Sequence, residues 1–354
     1  MTSKGLWRGV VREYLKYLPP VKDECIVTLK EGNTPLIEAR NLRDAIGGVR
    51  LFLKFEGVNP TGSFKDRGMT LAVSKAKEEG SAAIICASTG NTSASASAYA
   101  AKGGMKAYVL VPHGGVALGK LSQAMIHGAI VVEVEGSFDD ALGIVKDITK
   151  DYPVTMVNSL NPFRIEGQKT AAFEVCEHLG GAPEYHFLPV GNAGNITAYW
   201  RGYREYKAKG FIPALPKMMG FQAEGAAPIV RGEVVLNPKT VASAIKIGNP
   251  ASWKSALEAR DQSGGVIDMV TDEEILFAYG LVASREGIFC EPASAASVAG
   301  VIKLKNQGVV KDTDTVVATL TGHGLKDPDT AMGVSIKPVR VEPDIKKIIK
   351  VMGF

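Results

Sequence analysis

The sequence predicts a doubly wound α/β architecture of parallel sheets, divided between two domains. Three features of the chain point to it. Short β-rich runs alternate with stretches of helical period, and the runs end in exits rich in Gly, Asn and Ser. The length of 354 residues also exceeds what one hydrophobic core usually serves.

Taken in order, "RLFLKFE" (50–56) precedes a helix expected over about 64–79. Ser63 is its expected N-cap, and Met69, Leu71, Ala72, Val73 and Ala76 form its apolar face. "AAIICAS" (82–88) precedes the Ala/Ser-rich helix "TSASASAYAAK", and "KAYVLVP" (106–112) precedes "LGKLSQAMIHG". "AIVVEVE" (129–135) leads into "SFDDALGIVKDITKDY", and "VTMVNS" (154–159) into a helix from about Arg164 to Leu179. "YHFLPVG" (185–191) leads into a helix near Asn195. Helical stretches at about 272–286 and 292–305 then precede the strand "DTVVATLTG" (314–322). Residues 225–265 and the tail from about 335 are the least readable.

Composition excludes several function classes. The net charge of +4 is small and its Lys and Arg are spread along the chain, which argues against nucleic acid as a partner. No apolar run reaches the roughly 18–20 residues that span a bilayer, and the first twenty residues lack the apolar core and cleavage site of a signal peptide. A cytoplasmic protein without membrane association is expected. Cys25, Cys86, Cys176 and Cys290 stand far apart with no C-x-x-C, and the five histidines are isolated, so reduced thiols and no metal site are expected.

The chemistry collects at five strand exits: "NPTGSFK" (59–65), "ASTGNTS" (87–93), "NSLNPFR" (158–164), "VGNAGN" (190–195) and "TLTGHG" (319–324). In doubly wound sheets, ligands bind at such exits, beside helix N-termini. Lys65 falls in the first turn of its helix, where the dipole disfavours a cation. An amine used chemically, and therefore not permanently charged, resolves the mismatch. "GNAGN" (191–195) reads as a phosphate cradle, because two glycines let successive N–H groups approach an anion. A competing phosphate motif, Gly114, Gly119 and Lys120 at P-loop spacing, fails because Leu121 stands where magnesium coordination needs Ser or Thr. A phosphate cradle without a P-loop, together with a lysine in a polar strand exit, suggests pyridoxal 5'-phosphate, which needs a Schiff-base amine and a phosphate site.

At these residues the chain resembles the threonine synthases, within the fold type II (tryptophan synthase beta-like) family of pyridoxal-phosphate enzymes. "EGNTPL" (31–36), "KFEGVNPTGSFKDRGM" (54–69), "ASTGNTSAS" (87–95), "NSLNPFRIEGQKT" (158–170), "PVGNAGN" (189–195) and "TLTGHGLKDP" (319–328) fit in order. "SFKDRG" is shared with serine and threonine dehydratases, which form the alternative reading: the same cofactor, with elimination and no replacement by water.

The resemblance implies that Lys65 is the catalytic, Schiff-base lysine and that Asn91 meets the ring hydroxyl. It implies that Gly191, Asn192, Ala193, Gly194 and Asn195 hold the cofactor phosphate and that Thr321 faces the ring nitrogen. It implies O-phospho-L-homoserine as substrate, with Ser88, Thr92, Lys120, Asn158, Ser159 and Arg164 as candidates for its phosphate. The products implied are L-threonine and phosphate, by β,γ-elimination and replacement. Also implied are a homodimer and a large domain of residues 1–56 and 143–354, with a small inserted domain at 57–142.

Overall fold

The computed structural model describes residues 5–114, 118–335 and 338–354; for residues 118–120 it describes the backbone alone. Among the described residues, ten strands form two sheets, with helices between successive parallel strands. The larger sheet holds β1 (Leu36–Glu38), β2 (Arg50–Phe55), β7 (Tyr185–Pro189), β8 (Lys217–Ala223), β9 (Val266–Val270) and β10 (Thr315–Leu320), in the order β1-β2-β10-β7-β8-β9. All its pairs are parallel except β1 with β2. The smaller sheet is parallel throughout, with β3 (Ala83–Ala87), β4 (Lys106–Pro112), β5 (Ile130–Val134) and β6 (Val154–Met156) in the order β5-β4-β3-β6.

Short helices α1 (Val10–Glu13) and α2 (Arg40–Ala45) precede the first crossover. The helices that matter for the site start at strand exits: α3 (Lys65–Glu78) after β2, α4 (Asn91–Gly103) after β3 and α5 (Leu118–Ile126) after β4. α6 (Phe138–Asp151) follows β5, α7 (Pro162–Leu179) follows β6 and α8 (Gly194–Ala208) follows β7. Then come α9 (Pro228–Arg231), α10 (Trp253–Ser263), α11 (Asp272–Glu286), α12 (Pro292–Asn306), α13 (Pro328–Val334) and α14 (Ile345–Met352). The core lies on both faces of the larger sheet. Phe187, Phe221 and Leu320 pack with Ile275 and Val298 of α11 and α12 on one face, and Leu188 and Val317 pack with Phe173 and Tyr199 of α7 and α8 on the other.

Three differences from the sequence expectations have physical causes. The smaller sheet runs past residue 142, because α6 packs on it and β6 pairs with β3 through Ile85 opposite Met156. By sheet membership the smaller unit therefore reaches residue 156. Ser63 is not the N-cap of α3: Phe64 takes that place, with Ser63 Oγ accepting from the Lys65 N–H at a long 3.4 Å. The backbone at Ser63 is already engaged in a bridge to Gly322, and the Phe64 N–H donates to the Thr321 carbonyl at 3.0 Å. Finally, β1, β8 and β9 were not expected, and residues 225–265 hold α9 and α10.

Candidate active site

Each sheet has one place where neighbouring strands send their chains to opposite sides, and binding crevices open there. In the larger sheet it lies between β10 and β7, which brings the Thr321 exit beside residues 191–195. In the smaller sheet it lies between β3 and β6, which brings the exits at Ser88 and Asn158 together. Backbone pairing then fastens Lys65 to the first of these, because Phe64 and Ser63 bond to Thr321 and Gly322.

Lys65 opens α3 half-buried, and its Nζ makes no hydrogen bond among the described residues. It lies 4.2 Å from the centroid of the Phe64 ring. Burial, reinforced by the Arg164 guanidinium, pulls its pKa down to about 7, while the Glu291 carboxylate pulls the other way. A substantial share of the amine is then unprotonated at neutral pH, as an attacking or proton-accepting amine needs. Asp66, next in the chain, is fully buried and accepts from Thr61 N–H (2.7 Å), Thr61 Oγ1 (2.6 Å) and Ser95 Oγ (2.6 Å). Burial still raises it to about 6, against those three bonds.

Residues 191–195 test whether a phosphate fits. Ala193 sits in the left-handed region at φ 64°, which turns the chain so that α8 begins at Gly194. No backbone N–H from Gly191 to Asn195 donates to a protein acceptor among the described residues, and the buried Asn195 Nδ2 has no partner. A Cβ at Gly191 would stand 3.0 Å from the Ile245 Cα, so this close approach requires glycine. Asn192 braces the turn from outside: its carbonyl accepts from Ser252 N–H (3.1 Å) and its Oδ1 from Ala251 N–H (3.2 Å). Free N–H groups and an orphaned amide at a helix start fit an anion such as the cofactor phosphate.

Arg164 supplies a second such place. It is 1% exposed, yet no carboxylate among the described residues pairs with it. Nη1 donates to the Val157 carbonyl at 2.7 Å, and Nε has no partner. Burial alone lowers it to about 10, a cost that a bound anion would remove. Asn158 is otherwise engaged: its amide accepts from Ala87 N–H (3.1 Å) and donates to the Ala87 carbonyl (2.8 Å), extending the β3–β6 pairing by one side chain. Ser88 Oγ accepts from Gly90 N–H at 3.3 Å, and Thr92 and Ser159 stand half-buried on the neighbouring turns. Lys120 belongs to α5, and its side chain lies outside the described residues, as does part of the Gly114–Lys120 loop.

Sequence reasoning missed Glu291. Its buried carboxylate accepts from Asn91 Nδ2 at 2.9 Å and from Thr321 Oγ1 at 3.0 Å. Ser294 Oγ lies 3.0 Å from Thr321 Oγ1 and accepts from the Gly322 N–H. In the sequence, a Glu followed by Pro at a helix start looks like ordinary helix capping, so only the fold exposes it.

The profile of the pyridoxal-phosphate dependent enzymes matches residues 27–322. A threonine synthase of Synechocystis sp. is 56% identical over 356 residues, covering 100% of this chain and 93% of its own. One from Mycobacterium tuberculosis is 57% identical over 340 residues (95% and 94%), and one from Methanocaldococcus jannaschii is 52% identical over 359 (98% and 87%). Among solved structures, maize serine racemase superposes with a TM-score of 0.74 at 17% identity, covering 98% of this chain and 97% of its own. The processed threonine deaminase isoform 2 of Solanum lycopersicum gives 0.73 at 21% (97% and 88%). At those identities, the structures speak for the fold alone. With the family profile matched over residues 27–322 and this degree of identity over nearly the whole chain, the chain belongs to the pyridoxal-phosphate dependent enzymes and, within them, to the threonine synthases.

Proposed function

We propose that the chain converts O-phospho-L-homoserine and water to L-threonine and phosphate, with Lys65 as the proton-moving amine between two anion sites. The observation that carries this reading over a dehydratase is Arg164: a buried guanidinium without a carboxylate partner among the described residues, its Nε unpartnered, close enough to Lys65 to depress the amine. A dehydratase substrate has no phosphate and gives such a residue nothing to hold.

In this reading, Gly191 to Asn195 hold the cofactor phosphate through their N–H groups. Asn91 and Thr321 meet the ring hydroxyl and ring nitrogen. Bound pyridoxal phosphate supplies the electron sink that stabilises negative charge developing on the substrate carbons. Lys65 removes and returns protons at Cα, Cβ and Cγ of the substrate, and its pKa near 7 lets it act in both directions at neutral pH. Arg164 grips the substrate phosphate with charge-assisted bonds, with Ser159, Ser88 and Thr92 on the neighbouring turns. Asn158 contributes by fixing the Ala87 strand exit. Closure of the smaller unit over the larger would exclude water until it is needed at Cβ. A homodimer working in the cytoplasm, without nucleic-acid or membrane partners, completes the proposal. The test is product analysis: phosphohomoserine should release phosphate and L-threonine in equal amounts. Formation of ammonia and a 2-oxo acid from threonine or serine, with phosphohomoserine left intact, would establish the dehydratase reading instead.

A further inference from the structure

We propose that Glu291 is a positioning residue: its one carboxylate clasps Asn91 and Thr321 together, aligning both ring contacts across the seam between the two sheets and standing as the anionic neighbour of Lys65. The inference rests on the assignment of Lys65, Asn91 and Thr321 to the cofactor.

The geometry is built for it. Asn91 opens α4 on the smaller sheet, and Thr321 directly follows β10 of the larger one, so the two oxygens of Glu291 reach segments of different units. Glu291 occupies the residue before α12, where a carboxylate usually caps its own helix, yet its side chain makes no cap bond. Its backbone is fastened instead, donating to the Gly322 carbonyl at 2.9 Å, beside the bridge of Cys290 to His323. A Cβ at residue 322 would lie 2.6 Å from the Glu291 carboxyl carbon, so glycine there makes room for the carboxylate. The Thr321 hydroxyl has one proton, which goes to Glu291, and Ser294 Oγ stands on its other side. Both donors are therefore fixed in direction by one acid.

The charges around the carboxylate agree. Burial holds Glu291 above its ordinary value, although bonds from Asn91 and Thr321 and the cations Lys326 and Lys65 favour its anion. Lys65 is faced by Arg164 from α7 and by Glu291. Lys326 bonds to Gln123 of α5, so it too crosses between the units. An anion at Glu291 offsets Arg164 at the amine, and losing it should lower the affinity of Lys65 for its proton.

Two variants separate charge from reach. Glu291→Gln keeps the shape but turns a donor toward Asn91 or Thr321 and removes the charge. Glu291→Asp keeps the charge but is one methylene too short to reach both. In the apoprotein, the acylation rate of Lys65 is read at pH 6 by peptide mass analysis. Losing the carboxylate lowers the amine's proton affinity, so its unprotonated fraction at pH 6 rises by up to several-fold. Glu291→Gln should show about that acceleration, while Glu291→Asp labels at the native rate. In the loaded protein, both variants should bind pyridoxal phosphate at least ten-fold more weakly, roughly, and with a shifted visible band. Native labelling and a native band in Glu291→Gln would overturn the inference. If Glu291→Gln does not fold, Glu291→Asp decides: unchanged cofactor affinity in that variant rules out the clasp. Borohydride trapping of the cofactor on native Lys65 is the control. Its failure would remove the assignment of Lys65, whereas unresponsive Glu291 variants would remove only this inference.

Discussion

Lys65 begins its helix where a cation is disfavoured, and the fold answers by burying the amine beside Arg164 until its pKa falls to about 7. Reduction of the loaded enzyme with borohydride should therefore leave the pyridoxyl group on Lys65, and peptide mass analysis that finds it on another lysine refutes the assignment. The same shift has a signed effect on stability. Because the folded value lies below the ordinary 10.5, the unfolded chain binds the extra proton between about pH 7 and 10.5, and the fold gains stability as pH rises through that window. Lys65→Met should thus stabilise the apoprotein relative to native at pH 7, with the advantage shrinking toward pH 10.5; a pH-independent difference in urea unfolding contradicts it. Thr321 carries a third expectation. Thr321→Asp should favour a protonated ring nitrogen, shift the visible spectrum and slow turnover more than it weakens cofactor binding; an unchanged spectrum with normal turnover removes Thr321 from the ring. Lys65 and Arg164 stand out in the sequence because each breaks a local rule about charge at a helix start. Glu291 breaks none, and its partners lie 200 and 30 residues away.

At the scale of elements, α3 and α7 pack backbone to backbone. A Cβ at Gly167 would stand 2.1 Å from the Arg67 carbonyl oxygen, and one at Gly68 would stand 2.6 Å from the Arg164 carbonyl oxygen. This contact sets the spacing of Lys65 from Arg164, since each residue sits on one of the two helices. Gly167→Ala should cost about 1–3 kcal/mol through overpacking and weaken substrate binding as Arg164 is displaced. Equal stability and kinetics would show that the helices can separate freely. Seven strands were legible because each is a continuous β-rich run ending in a turn. β8 was not, since Gly220 interrupts "KMMGFQA" (217–223), and a Cβ there would come 2.8 Å from Val190 Cγ2: a packing need hides the strand signal. The edge strand β1 is three residues long and β9 carries Asp268 inside it, too little pattern in either case to register.

Across the whole molecule, a buried charge cluster holds the units at the seam. Glu174 of α7 pairs with Arg67 of α3 and Lys54 of β2, each at 2.7 Å, and Arg67 Nε donates to Glu56 at 2.6 Å. Arg67 and Lys54 hold Glu174 at about 2, below the usual 4.5, so its contribution to stability is present above pH 4.5 and is lost as pH falls toward 2. Glu174→Gln should cost about 3–5 kcal/mol at neutral pH by leaving buried cations uncompensated; urea unfolding that shows no loss contradicts the cluster's role. The large division into two sheets was legible from length and alternation, but its boundary was not, because β6 joins the smaller sheet only by pairing back with β3. The central claim is that two separate anion sites flank Lys65, one at residues 191–195 and one at Arg164. The most direct measurement is kcat/KM for phosphohomoserine in Arg164→Leu, read beside cofactor content. The expected result is a folded protein that keeps its yellow cofactor, reacts with serine as before, and loses roughly 30-fold to several-thousand-fold in kcat/KM, the equivalent of about 2–5 kcal/mol. Loss of the cofactor, or equal weakening toward serine and phosphohomoserine, would contradict it.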